Sequence, residues 1–281
     1  MGYPREIVDA FTKLWPLGKW VYRAGNWPVV GALLRPLFTM LDNEAIIIPV
    51  HEAVQGAESV VLPYPLLDPL IAQASLRFVM NECMCRKGED CTTYPHDFGC
   101  LFLGDGVTNI SPSMGHMASV DEARAHVRRA VELGLVPLVV HTAFDGWMLG
   151  VSYRRMLGIC FCCDCCCAVR VGLKLGPPVF WDTVVRLPGL SVHVGPECVG
   201  CGRCQDVCHV GAISLDQGTA SINGQCKGCG RCVEVCPTQA IRLHVGDSLD
   251  VWNGLLTRIQ RRTDIGTDVG VGQEPPTLSQ G

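Results

Sequence analysis

Apolar residues crowd the first 42 positions, where Trp15, Trp20 and Trp27 stand among Leu14, Leu17, Val21, Leu33, Leu34, Leu37 and Phe38. Pro16, Pro28 and Pro36 divide this stretch into short helices, because proline lacks a backbone donor and clashes with the turn before it. The favoured use of such a segment is a helical layer on the protein's own core. Contact with a membrane surface, aided by Lys13, Lys19, Arg23 and Arg35, is the less favoured one. Two β-branched runs, AIIIPV and SVVLP, predict strands between Ala45 and Pro63, with His51 as a satisfied loop histidine rather than a ligand. In PLLDPLIAQAS the later half reads as a short helix, capped by Asp68 with Pro69 in its first turn. RFVMNECMCR then reads as a strand, and residues 101–115 as a short strand followed by loop. VDEARAHVRRAVELG carries a clear helical signature over 120–134, with Ser119 or Asp121 as cap and Gly134 as stop. VPLVVH (136–141) is a buried strand, and AVRVGLKLG after Cys167 is a helix whose N-terminus would stabilise thiolates.

Strand, loop, helix and strand in this order predict an α+β chain: an α/β-type cysteine-rich domain over 43–176, after the apolar segment 1–42. A linker at 177–190 leads to a second domain at 191–245. Beyond it, Trp252, Leu255, Leu256 and Ile259 share one face of a helix at 246–261. The polar residues 262–281 read as a disordered tail.

Charge changes the picture mainly by exclusion. A formal net charge of −4 offers no electrostatic footprint for nucleic acid. Neither GxGxxG nor GxxxxGK[ST] occurs, so nucleotide and flavin sites of those types are not expected. No apolar run reaches the roughly 18 residues of a bilayer span, and Glu6 and Asp9 occupy the place of a basic leader region. The 18 cysteines have the spacings of metal ligands, which predicts a reducing cytoplasm rather than a disulfide scaffold.

Eight of those cysteines lie in a duplication. CVGCGRCQDVCHVGAISL (198–215) and CKGCGRCVEVCPTQAIRL (226–243) match at 11 of 18 positions, and each carries CxxCxxCxxxC. Three cysteines at three-residue intervals let a tight loop wrap one face of a cubane. The fourth is carried away to the cluster of the other copy. The expected sets are Cys198, Cys201, Cys204 and Cys236 for one 4Fe-4S cluster, and Cys226, Cys229, Cys232 and Cys208 for the second. All eight ligands resemble those of the bacterial two-cluster ferredoxins. The departure is His209 where that family has proline, which leaves ligation intact and touches only the local turn and the potential.

The other ten cysteines fall into two sequence groups. Cys83, Cys85, Cys91 and Cys100 border polar, glycine- and proline-punctuated loops, while Cys160, Cys162, Cys163, Cys165, Cys166 and Cys167 crowd into CFCCDCCC. Six cysteines in eight residues cannot all face one cubane, since neighbours in an extended segment point to opposite sides. Some serve different metals or stay free. One or two further iron-sulfur clusters are the preferred reading, with zinc or plain buried cysteines below it. The Cys-Cys pairs lack the following glycine of the noncubane motif in heterodisulfide-reductase-type proteins. CMCR, YPHDFGCLFLGDG, ICFCCDCCC and the duplication together resemble an iron-sulfur family of anaerobes over roughly residues 60–243. That resemblance implies a 4Fe-4S protein without implying a reaction.

Two uses follow: a one-electron relay between a redox partner protein and an N-terminal cysteine-ligated site, or a reductase whose catalytic site is that N-terminal cluster, fed by the ferredoxin-like unit. A redox sensor ranks third, because no DNA-binding motif accompanies the cysteines.

Overall fold

The computed structural model describes residues 2–39, 43–49, 63–163, 165–208, 210–246 and 248–266. His51, residues 59–62 of the run SVVLP, His209 and most of the expected tail lie outside these residues. The β-branched and aromatic runs pair into a seven-stranded sheet. Its strands are β1 (Glu44–Ile47), β2 (Arg77–Met80), β3 (Leu101–Leu103), β4 (Gly115–Met117), β5 (Val136–His141), β6 (Leu157–Cys162) and β7 (Val184–Arg186), in the order β4-β2-β3-β6-β5-β1-β7. Every neighbouring pair is antiparallel except β1 with β7. The α/β-type expectation for this region is corrected accordingly: the helices do not serve as crossovers between parallel strands. β7 lies within the stretch expected to be a linker, so residues 184–186 extend the sheet.

Side-chain alternation sorts the core onto the two faces of the sheet. Phe78, Met80 and Phe102 pack with Val8, Met148 and Leu149. Their neighbours Val79, Leu101 and Leu103 pack with Leu67, Val127 and Trp252 on the other side. β5 is buried at all six positions because both faces are covered there. The helix Val120–Glu132 starts where expected, with the Ser119 hydroxyl accepting from the Glu122 N–H at 3.2 Å. The helix around Asp68 starts earlier than the sequence suggests and spans Pro63–Gln73. Asp68 is not its cap but a buried carboxylate held by Arg124.

Three short helices, Arg5–Lys13, Pro16–Ala24 and Pro28–Thr39, form the N-terminal layer. Val8 and Ala24 are buried and Lys87 reaches Asp9 at 2.9 Å, yet Leu17, Trp20, Trp27 and Leu33 stay exposed. The layer therefore covers the core with one side only. No helix among the described residues is long and apolar enough to cross a membrane.

The duplicated segment closes on itself. β8 (Leu190–Val194) precedes the first copy and β11 (Ile241–Val245) follows the second; they pair antiparallel, while β9 (Ile213–Asp216) and β10 (Thr219–Ile222) form the hairpin between copies. The strand that ends each copy thus pairs with the strand that precedes the other. Helix Ser248–Gln260 packs back on the sheet through Val251, Trp252, Leu255 and Ile259, as its apolar face predicts. The chain stays ordered past it: Ile265 is buried and its carbonyl accepts from the Ser75 N–H at 3.0 Å. The first residues expected in the tail are therefore docked.

Candidate metal centres

All 18 cysteines are free thiols. In the duplicated segment Gly202 and Gly230, at equivalent positions of the two copies, adopt φ of +80° and +84° and turn the chain into the helices Arg203–Asp206 and Arg231–Glu234. Only glycine takes that conformation at no steric cost. The turn leaves Cys198, Cys201 and Cys204 lining one cavity, joined by Cys236 from the second copy and closed by Ala220, Leu215 and Ile241. Cys226, Cys229, Cys232 and Cys208 form the second set, and each of the first three feels the charge of Cys208. Burial, then the neighbouring thiolates, push the Cys232 thiol up to about 12. In each set the structure brings the fourth cysteine, from the other copy, near the three of one loop.

The two sets differ in setting. Cys201 is exposed, and its cavity opens beside Val199 on the surface. Cys229 packs against the main sheet's core and lies near the buried Arg170.

The other ten cysteines gather at one end of the sheet. Because β3 runs antiparallel to β2 and β6 antiparallel to β3, the exit of β2, the entry of β3 and the exit of β6 meet there. The grouping does not follow the sequence groups. Cys91 joins Cys163, Cys165 and Cys166, and all four Sγ atoms lie within 4.8 Å of one another. Cys91 and Cys165 are 3.5 Å apart, as are Cys165 and Cys166, and the Cys166 N–H donates to Cys163 Sγ at 3.3 Å. Burial, then Cys91, push the Cys165 thiol up to about 12: four thiolates this close repel one another unless a cation lies between them.

The remaining six form three thiol pairs. Cys162 and Cys167 are 2.8 Å apart and Cys100 and Cys160 3.3 Å, while Cys83 shares a hydrogen bond with Cys85. Cys85 also feels Cys167, and Cys162 feels Cys85 and Cys100, so the pairs are one constellation. The Cys85 hydrogen bond and Arg86 bring Cys83 down to about 6. Cys167 opens the helix Ala168–Leu175. Burial would raise its thiol, but the Cys162 hydrogen bond, the Arg170 N–H and the Arg170 charge bring it below the ordinary value. One of these donors, the Arg170 N–H, belongs to the first turn of that helix. Tyr22 of the N-terminal layer lies near Cys85 and Cys167, where burial raises its hydroxyl further.

Adjacent residues part here. Cys162 belongs to the six and Cys163 to the four, as opposite sides of an extended chain require. Cys83 and Cys91, members of one sequence group, lie in different thiol groups.

Two arginines and one acid complete the region, and none stands out as a motif. Arg86, 1% exposed, donates through Nε to the Pro95 carbonyl (2.8 Å), through Nη1 to that of Phe161 (2.9 Å) and through Nη2 to that of Phe98. Burial opposes its charge, but Cys83, Cys100, Cys163 and Cys162 around it raise its affinity for the proton. It stands between the four-thiol and six-thiol groups. Arg170, also buried, donates to the Cys162 carbonyl at 3.4 Å and acts on both Cys167 and Cys229. The signal available for both was a charge directly beside cysteines in an otherwise apolar setting. Burial lifts the Asp145 carboxyl to about 6, and its charge bears on Cys160.

Residues 197–240 match the 4Fe-4S dicluster domain family. No curated protein and no solved structure matches the chain. The matched residues are the duplicated segment, a 4Fe-4S ferredoxin-type unit.

Proposed function

We propose that the chain is an iron-sulfur electron relay. The cysteine sets Cys198, Cys201, Cys204 with Cys236, and Cys226, Cys229, Cys232 with Cys208, hold one 4Fe-4S cluster each, and the six-thiol group holds a further iron-sulfur cluster. The donor sets fit: thiolates are soft ligands, and each quartet of the duplicated segment converges from the two copies. Clusters bound there supply one-electron transfer at potentials tuned by charge, hydrogen bonds to sulfur and exposure.

One observation carries the reading. Arg170 bears on Cys229 on one side and on Cys162 and Cys167 on the other, so the inner end of the ferredoxin-type unit adjoins the six-thiol group. The outer end, at Cys201, is open to a redox partner protein. The chain's residues thus arrange an exposed entry, an internal step beside a buried cation and a terminus shielded by the N-terminal layer. Arg170 favours the state with the added electron on both of its sides.

A reductase is the second reading, favoured by the six thiols outnumbering the four ligands of a cubane, with Asp145 beside Cys160 as an acid near the site. Stopped-flow reduction under anaerobic conditions, followed by EPR, tests the relay. Cys229→Ser is expected to leave the six-thiol cluster loaded but oxidised while the outer cluster still fills. Reduction of that cluster at the wild-type rate in this variant would refute the internal step.

A further inference from the structure

We propose that Cys91, Cys163, Cys165 and Cys166 bind a single zinc ion in a tetrathiolate site separate from every iron-sulfur centre. The proposal goes beyond the relay and does not depend on it.

Spacing is the first ground. Four thiolates around one tetrahedral ion, each about 2.3 Å from the metal, lie about 3.8 Å from one another. The quartet matches, with 3.5 Å for two of its pairs and every pair within 4.8 Å. A cubane caps each of its four irons with a different cysteine, which spreads the sulfurs to about 6 Å. The duplicated segment serves as an internal control. Among the described residues, the quartet at Cys91 meets the tight spacing, and neither ferredoxin-type set does.

The second ground is how the sulfurs are held. The Cys166 N–H donates to Cys163 Sγ, and the backbone of Thr93 and Tyr94 donates to Cys91. The loop carrying Cys91 is itself tied down, since His96 Nε2 lies 2.6 Å from the Cys91 carbonyl oxygen and the Cys83 N–H reaches the His96 carbonyl at 2.8 Å. Cys91, Cys163 and Cys166 are buried and Cys165 is exposed, so all four positions are filled by protein and one edge is reachable from solvent. A closed four-sulfur tetrahedron is the arrangement of a structural rather than a catalytic ion.

Zinc and iron both accept such a tetrahedron. The geometry selects zinc: an ion with no d-electron preference of its own takes the closed four-cysteine tetrahedron as a structural site. The consequence is architectural. Cys163, Cys165 and Cys166 are bracketed by Cys162 and Cys167, both members of the six-thiol group. An ion without redox chemistry at the bracketed residues holds those two cysteines in place and carries no electron itself.

The test uses the full chain purified anaerobically, with zinc and iron measured in the same sample and X-ray absorption recorded at the zinc edge. The expected wild-type result is about one zinc per chain, with sulfur scatterers alone at about 2.3 Å and no neighbouring metal. In Cys91→Ser the zinc is lost while iron content holds. Because that variant could misfold, Cys165→His is the companion: it keeps the zinc and adds a nitrogen scatterer to the shell. Absence of zinc from the wild type, a nearby iron in its absorption spectrum, or loss of iron in place of zinc in Cys91→Ser would each overturn the assignment. These readouts are separate from cluster reduction, so failure here leaves the relay standing, and the reverse.

Discussion

The duplicated segment and the cysteine-rich end of the sheet hold thiols by opposite means. In the segment, three of four cysteines in each set come from one short loop, and the fourth arrives because β8 pairs with β11 and β9 with β10. At the end of the sheet, Cys91 meets Cys163, Cys165 and Cys166 across more than 70 residues, and Cys83 and Cys85 meet Cys162 and Cys167 across a similar distance. The first design needs little beyond local turns. The second exists only once β2, β3 and β6 are in register, since that register brings their cysteine-bearing ends together. The centres also differ in kind: wide sets in the segment, one tight quartet and three close pairs at the sheet. Where the cysteines are local, spacing in the sequence identifies the ferredoxin-type segment. Where they are not, the sheet decides which thiols are neighbours.

The most severe way to probe this contrast is Cys167→Ser. It removes one thiol from the six-thiol group and leaves the duplicated segment untouched. We expect electron transfer beyond the ferredoxin-type unit to fall to background, while anaerobic analysis still finds about eight irons from its two clusters. Loss of those irons as well would show that the two regions do not load independently.

Next in size is Arg86→Leu. Its guanidinium ties the Pro95 and Phe98 carbonyls of the cysteine loop to the Phe161 carbonyl of β6, and removal leaves all three without that donor in a buried setting. A cost of about 3 kcal/mol is expected in anaerobic denaturant unfolding. The ferredoxin-type EPR signals should persist. A variant as stable as the wild type would mean that the sheet end does not rely on this non-local tie.

The smallest effect is at Asp145. Its carboxyl, lifted by burial to about 6, has a higher pKa in the folded chain than in the unfolded one. The folded state therefore binds the extra proton between roughly pH 4 and 6. Stability from this group is fully present below that range and is lost as the pH rises through about 6. Since the residue is only half-buried, Asp145→Asn should raise stability at pH 7 by on the order of 1 kcal/mol and by nothing near pH 4. A difference between variant and wild type that does not vary with pH would remove Asp145 from the titrating groups.

Much was legible before any fold was known. The helix at 120–132, the strand at 136–141 and the apolar face of Trp252 and Leu255 follow from period and capping alone. Other features were hidden. Asp68 resembles a helix cap beside Pro69, but its partner is Arg124 on another helix, and no local pattern announces an ion pair across 56 positions. Residues 177–190 read as a linker because Val184–Arg186 is too short to signal a strand until β1 offers it an edge.

By itself, the sequence determined that residues 197–240 are a 4Fe-4S ferredoxin-type segment and supplied the glycines that turn its loops, because three of the four cysteines that a cubane needs recur within seven residues of each copy. It also determined that CFCCDCCC could not serve a single centre, since neighbouring side chains on an extended chain diverge. The tertiary structure alone decided which cysteines meet: Cys91 with Cys163, Cys165 and Cys166, and Cys83 and Cys85 with Cys162 and Cys167. It also placed Arg170 between Cys229 and that six-thiol group. The physical reason is the antiparallel register of β2, β3 and β6, which brings together thiols that lie tens of residues apart in the chain.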